Sequence, residues 1–94
     1  MASGVAVTVV LPGMLAAILG EERLQVRAAT IEEAMEAAYE RIPVLRHHLS
    51  EPSGRFRTHI LCLLNGVSTR RQGSLQSKLE DGDEIRIVQA ISGG

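Results

Sequence analysis

One long stretch of this 94-residue chain repeats its apolar residues at three- and four-residue steps. Ile31, Ala34, Met35, Ala38, Ile42 and Leu45 fall on one side of a helix, and Glu32, Glu33, Glu36, Glu40 and Arg41 on the other. Thr30-Ile31-Glu32-Glu33 opens it as a capping box, in which a hydroxyl and a carboxylate each satisfy an N–H that the first turn leaves unpaired. Pro43 predicts a stop or kink near Arg41-Ile42. A lone amphipathic helix must bury its stripe against something, and the rest of the chain offers only residues patterned for a sheet.

Val5, Val7, Val9 and Leu11 alternate on one face of a first strand, which Pro12-Gly13 ends. Met14 to Arg23 reads as a loop, and Leu24 to Ala28 as a second, half-buried strand. After the helix, His47 to Arg57 reads as a surface loop around Glu51-Pro52-Ser53-Gly54. Thr58 to Leu64 is a nearly continuous apolar strand ending in the turn dipeptide Asn65-Gly66. Leu75 and Leu79 are isolated anchors in a polar connection, and Asp81-Gly82-Asp83 turns the chain into a last strand over Glu84–Ala90. The order predicts an α+β fold: a mixed sheet of four to five strands with one main helix on one face. The β-grasp arrangement is the economical one, with first and last strands as parallel central neighbours. The length allows one domain over residues 1–94, with 89–94 as a flexible tail.

Composition narrows the function. Ten Lys and Arg against eleven Asp and Glu leave no basic field for phosphates, so no nucleic acid is expected as partner. The only aromatic side chains of the Phe, Tyr and Trp type are Tyr39 and Phe56, which argues against recognition by stacking. No apolar run approaches a membrane span and no leader pattern opens the chain, so no membrane is expected. The lone Cys62 permits no internal disulfide, and a cytoplasmic location fits best. Cys62 sits in the most apolar run and reads as core, with His59 on the opposite face. Adjacent His47 and His48 do not converge on one ion, Arg70-Arg71 reads as a solvated turn, and no phosphate loop or nucleophile elbow occurs. The expectation is a protein without a catalytic or metal site of its own.

The last residues, Ile91-Ser92-Gly93-Gly94, leave the sheet and finish in two residues without side chains. At a glycine frequency of about 7%, such an ending arises by chance in roughly one chain in two hundred, so it decides nothing alone. Together with Val7-Thr8-Val9-Val10-Leu11-Pro12, Thr30-Ile31-Glu32-Glu33-Ala34, Leu64-Asn65-Gly66 and Leu79 to Ile87, it gives the whole chain a family likeness. The chain resembles the ubiquitin-like sulfur carriers of the ThiS and MoaD type. The long segment from His47 to Arg57 looks more like the molybdopterin or cysteine-biosynthesis carriers than the thiamine ones.

The resemblance implies a role for Gly94 as the attachment point. Its carboxylate would be adenylated by an E1-like activating enzyme that uses ATP, the chain itself binding no cofactor, and converted to a thiocarboxylate. A sulfur-accepting synthase would then take the sulfur, with Gly93, Ser92 and Ile91 threading the partner's active site. The sheet face without the helix would dock these partners, through Val10, Arg86 and Val88, with Thr8 and either Cys62 or Leu61 beside them. Two other readings share the fold: a ubiquitin-like modifier joined to lysines through Gly94, and an interaction module with an inert tail.

Overall fold

The chain runs β1 (Val5–Val10), α1 (Gly13–Leu19), β2 (Arg23–Ala28), α2 (Ile31–Arg41), α3 (Val44–Leu49), β3 (Ile60–Leu64), β4 (Val67–Ser68), a single 3-10 turn (Ser74–Gln76) and β5 (Glu84–Gln89). This is a computed structural model, and it describes residues 4–69 and 74–89. Five strands form one sheet in the order β2-β1-β5-β3-β4. β1 and β5 are its parallel central pair, with Thr8 opposite Glu84 and Val10 opposite Arg86, and the other pairings are antiparallel. This is the β-grasp, ubiquitin-like fold expected from the element order.

Register decides which residues go inside. Val9 lies opposite both Leu24 and Ile85, and Cys62 lies opposite Ile87, so these side chains share the face that the helices cover. Ile31, Ala34, Met35 and Ala38 of α2 close over them, each almost wholly buried. Thr30 Oγ1 accepts from the Glu33 N–H at 3.2 Å, and Glu33 Oε1 accepts from the Ala29 N–H at 2.9 Å. The capping box thus forms, with the carboxylate reaching one residue further back than the usual partner. Tyr39, outside the expected stripe, is also buried, and its hydroxyl bonds Ser50 at 2.5 Å.

Two expected loops contain helices. The sequence reads as irregular from Met14 to Arg23, but α1 occupies Gly13–Leu19. Pro12 supplies its start with φ already at −57°, and Gly20 ends it in the left-handed region at φ 76°, donating its N–H to Ala16 O. The Pro-Gly pair that reads as a breaker is here a helix entrance. Likewise α3 follows Pro43, so His47 and His48 are helical and only the remainder of the expected loop to Arg57 is irregular. α2 ends at Arg41 as Pro43 predicts, and Leu45 is buried from α3 rather than from a continuing α2. Leu79 is buried and Leu75 partly so, as isolated anchors should be.

Asn65-Gly66 makes a two-residue hairpin between Leu64 and Val67, with both turn residues at positive φ, 52° and 87°. The turn is tied to the other signature of the sequence. Asn65 donates through Nδ2 to Asp83 Oδ1 at 2.9 Å and accepts through Oδ1 from the Glu84 N–H at 2.9 Å. Asp83 also accepts from the Glu80 N–H, and Asp81 accepts from the Ala6 N–H at 3.0 Å. The two turns therefore fix where β5 begins, a structural role for residues that a family likeness singles out.

Candidate functional site: the open sheet face and the tail exit

The helices leave one sheet face uncovered. Alternation puts Arg23 and Gln25 of β2, Thr8 and Val10 of β1, Glu84, Arg86 and Val88 of β5, and Leu61 and Leu63 of β3 on that side. Of the pair Cys62 or Leu61, the register therefore gives the open face to Leu61. Cys62 is 5% exposed on the helix side, and burial pushes its thiol up to about 11, against a hydrogen bond with Thr69 that lowers it. His59 is exposed and precedes β3, apart from the buried thiol.

Charge on the open face is organised around Glu84. Its carboxylate meets Arg23 at 3.3 Å and Arg86 at 3.4 Å, while Gln25 donates to Thr8 Oγ1 at 2.9 Å. Val10 stands in register between Arg23 and Arg86 and is 1% exposed. Cationic side chains commonly lay their aliphatic stems over apolar surface while keeping the guanidinium in water. Of the three docking candidates, Val10 thus offers almost no area, and half-buried Arg86 and Val88 carry the accessible surface.

Those two residues also line a groove of about 430 Å³ between the last half of β5 and the turn into α1, with Leu11, Pro12, Met14 and Gln89 as further walls. Gln89 is the final residue of β5, paired with Ile60. A second groove, about 520 Å³, lies across Met14 and Gln89 and is lined by Ile18, His47, His48 and His59. Met14 and Ile18 are 68% and 73% exposed, the two most open large apolar side chains among the described residues. Sequence reasoning misses this part of the site because α1 reads as a loop. The signal is the apolar run Met14 to Leu19 closed by Gly20.

His47 and His48 stack edge to face with centroids 5.9 Å apart, and among the described residues no cluster of three or more His, Cys, Asp or Glu could hold a metal. Ile91, Ser92, Gly93 and Gly94 lie outside the described residues, as do Arg70 and Arg71. What is described is where the chain departs for them: Gln89, on the seam between two partly apolar grooves, at the edge of the open face.

Known structures share this architecture. Small archaeal modifier protein 1 from Methanosarcina acetivorans matches with a TM-score of 0.85 and 25% identity, over 97% of this chain and 98% of that one. A chain of the BexX/CysO complex from Amycolatopsis orientalis matches with a TM-score of 0.84 and 28% identity, over 95% and 100%. Small archaeal modifier protein 1 from Haloferax volcanii gives 0.80 and 26%, over 95% and 99%. Among curated proteins none is significantly similar in sequence. The family model that matches does so over residues 9–94, from the middle of β1 through both terminal glycines, and with the fold and its relatives it settles the membership: the chain belongs to the ThiS family, of ubiquitin-like sulfur carriers and modifiers.

Proposed function

We propose that this protein works through the α-carboxylate of Gly94, which an E1-like activating enzyme adenylates with ATP, and which is then passed either to sulfur or to a lysine of another protein. The observation that carries the reading is the family match running to Gly94 itself. An α-carboxyl has a pKa of about 3.3 to 3.7, so at neutral pH it is an anion that resists nucleophiles until it is given a leaving group. Adenylation supplies one, AMP. The adenylate must be kept from water, which calls for a narrow channel, and at its inner end Gly93 and Gly94 let the backbone approach where a Cβ would obstruct. Ile91 and Ser92 follow them into the channel.

The open face supports the docking that such a step needs. Arg86 and Val88 lie between the Glu84 ion-pair group and the groove at Gln89, so a partner that swallows the tail must cover them. Arg86 supplies the polar contact and Val88, Leu61 and Leu63 the apolar ground. That a matched chain belongs to a two-protein complex supports stable docking as well.

The two fates are separable. The likeness to small archaeal modifier proteins at 25% and 26% identity favours attachment to lysines. The ThiS family favours a thiocarboxylate that donates sulfur to a synthase in molybdopterin-type cofactor or cysteine biosynthesis. Intact-mass analysis of protein recovered from its native cytoplasm, before and after incubation with ATP, sulfide and the native activating fraction, tests both. One oxygen replaced by sulfur at Gly94 supports the carrier, and Gly94 found on lysines of other proteins supports the modifier. A Gly94 that stays an unmodified carboxylate in every condition refutes the proposal and leaves an interaction module with an inert tail.

A further inference from the structure

Of the ten Lys and Arg residues in the chain, all but Lys78 are arginines. An arginine cannot serve as an acyl acceptor under ordinary conditions, because its guanidinium stays protonated, whereas a lysine amine becomes a nucleophile once it has lost a proton. We infer that Lys78 is the protein's self-acceptor site: a Gly94–Lys78 isopeptide joins one copy to the next, as a single type of linkage formed between copies and never within one. This rests on the proposed activation of Gly94.

Lys78 is exposed while its neighbour Leu79 is in the core at 7% exposure. The backbone around it is clamped, with the Ile31 N–H donating to Ser77 O at 3.2 Å and the Leu79 N–H donating to Ala29 O at 2.9 Å. The pair Thr30 and Lys78 forms an isolated antiparallel bridge. None of the ion pairs among the described residues engages the Lys78 ammonium. The amine is thus presented to solvent from a fixed ribbon at the start of α2.

That ribbon is at the opposite end of the sheet from the tail. β5 runs parallel to β1 with Glu84 opposite Thr8, so Gln89 lies five residues past Thr8, while Ala28 lies opposite Val5, three residues in the other direction. Eight strand residues at about 3.3 Å each separate the two levels by roughly 26 Å, and Lys78 pairs with Thr30, just past Ala28 at the nearer one. The five residues after Gln89 span at most about 18 Å fully extended and a lysine side chain adds about 6 Å, roughly 24 Å in all. β5 moreover heads away from Lys78 at Gln89, so a tail reaching back would spend part of that length reversing direction. A copy therefore cannot close on itself, and an acceptor modified at Lys78 keeps its own tail exit clear for the next activation.

The step balances without a redox partner. ATP and the Gly94 carboxylate give the acyl-adenylate and pyrophosphate. The Lys78 ammonium loses a proton to solvent, its Nζ attacks the Gly94 carbonyl carbon, the acyl–phosphate bond breaks with AMP leaving, and a second proton departs as the amide forms.

The test compares wild type, Lys78→Arg and a Gly94 deletion in native cells. Trypsin cuts after Arg86, so a Lys78 peptide carrying Ile87 to Gly94 reports the linkage directly. Multimers bearing that branch are expected in wild type, while multimers of any linkage should fall at least tenfold in Lys78→Arg and be absent in the deletion, with Gly94 chemistry toward other acceptors unchanged in Lys78→Arg. A second arm mixes full-length, N-terminally acetylated protein carrying a preformed Gly94 thioester with the ordinary acetylated chain, and expects a Lys78-linked dimer and no cyclised monomer. Multimers that persist in Lys78→Arg, a cyclised monomer, or Gly94 conjugates on other proteins with no Lys78 branch would each overturn the inference, the last while leaving the proposed function intact. If cells show no Gly94 chemistry at all, the proposed function fails and the thioester arm alone decides Lys78.

Discussion

Cys62 shows what a single residue of this sheet does and does not contribute. Its thiol is buried opposite Ile87 with Thr69 as hydrogen-bond partner, and burial raises its pKa to about 11. A thiol that holds its proton more tightly when folded stabilises fully below its unfolded pKa, near 8.5 to 9, and that contribution is lost as pH rises toward the folded value. Urea titrations should therefore show stability falling between about pH 9 and 11, by on the order of 2 kcal/mol from this group. Burial also raises the pKa of Tyr39, in part offset by the Ser50 bond, so Cys62→Ala should remove part of that fall and leave the remainder. Alkylation of the native thiol should be slow at neutral pH. Tyr39→Phe leaves the buried Ser50 hydroxyl without its partner and should cost about 1 to 2 kcal/mol, read as a lower denaturant midpoint. Position in an apolar run is enough to place Cys62 in the core. Tyr39 is legible too, at the i, i+4 and i+8 positions of Ile31, Met35 and Tyr39, but its polar end hides it among the solvent-facing residues.

Among the elements, those that keep one period from end to end can be read from the residues, and those that begin with a residue of two meanings cannot. β1, β2, β5 and α2 keep a clean alternation or a clean stripe. α1 and α3 open on Pro12 and Pro43, and a proline ends one helix as readily as it starts another. Their buried residues, Leu15 for α1 and Leu45 and Leu49 for α3, are too few for a period to emerge. The hairpin tip is legible as a turn, but its bonds to Asp83 and Glu84 are long-range and leave no mark in local pattern. Asn65→Ala removes both of these and strains a residue at φ 52°, so a loss of about 2 kcal/mol is expected by chemical denaturation, with amide exchange at the start of β5 rising first. On α1, by contrast, Ile18→Glu changes a side chain that is 73% exposed, and should leave stability within about 0.5 kcal/mol.

At the scale of the whole molecule, the core and the docking face are the two sides of one sheet, separated by alternation alone. That is why register decides between Leu61 and Cys62, and why residue patterns name the docking candidates without ranking them: Val10 is almost wholly buried, with Arg23 and Arg86 beside it in register from two different strands. Arg86→Glu should slow ATP–pyrophosphate exchange with the activating enzyme roughly tenfold while leaving the melting temperature nearly unchanged, since the Glu84 pair it breaks is largely exposed. The parallel pairing of β1 with β5 has a mechanical consequence. The strand that opens the sheet and the strand that closes it leave at opposite ends, so tension applied between them loads the contacts of Thr8, Val9 and Val10 with β5 side by side rather than peeling them one at a time. A cargo tethered through Gly94 and pulled against the start of the chain would strain this protein along its stiffest line, and the sheet would give way all at once or not at all.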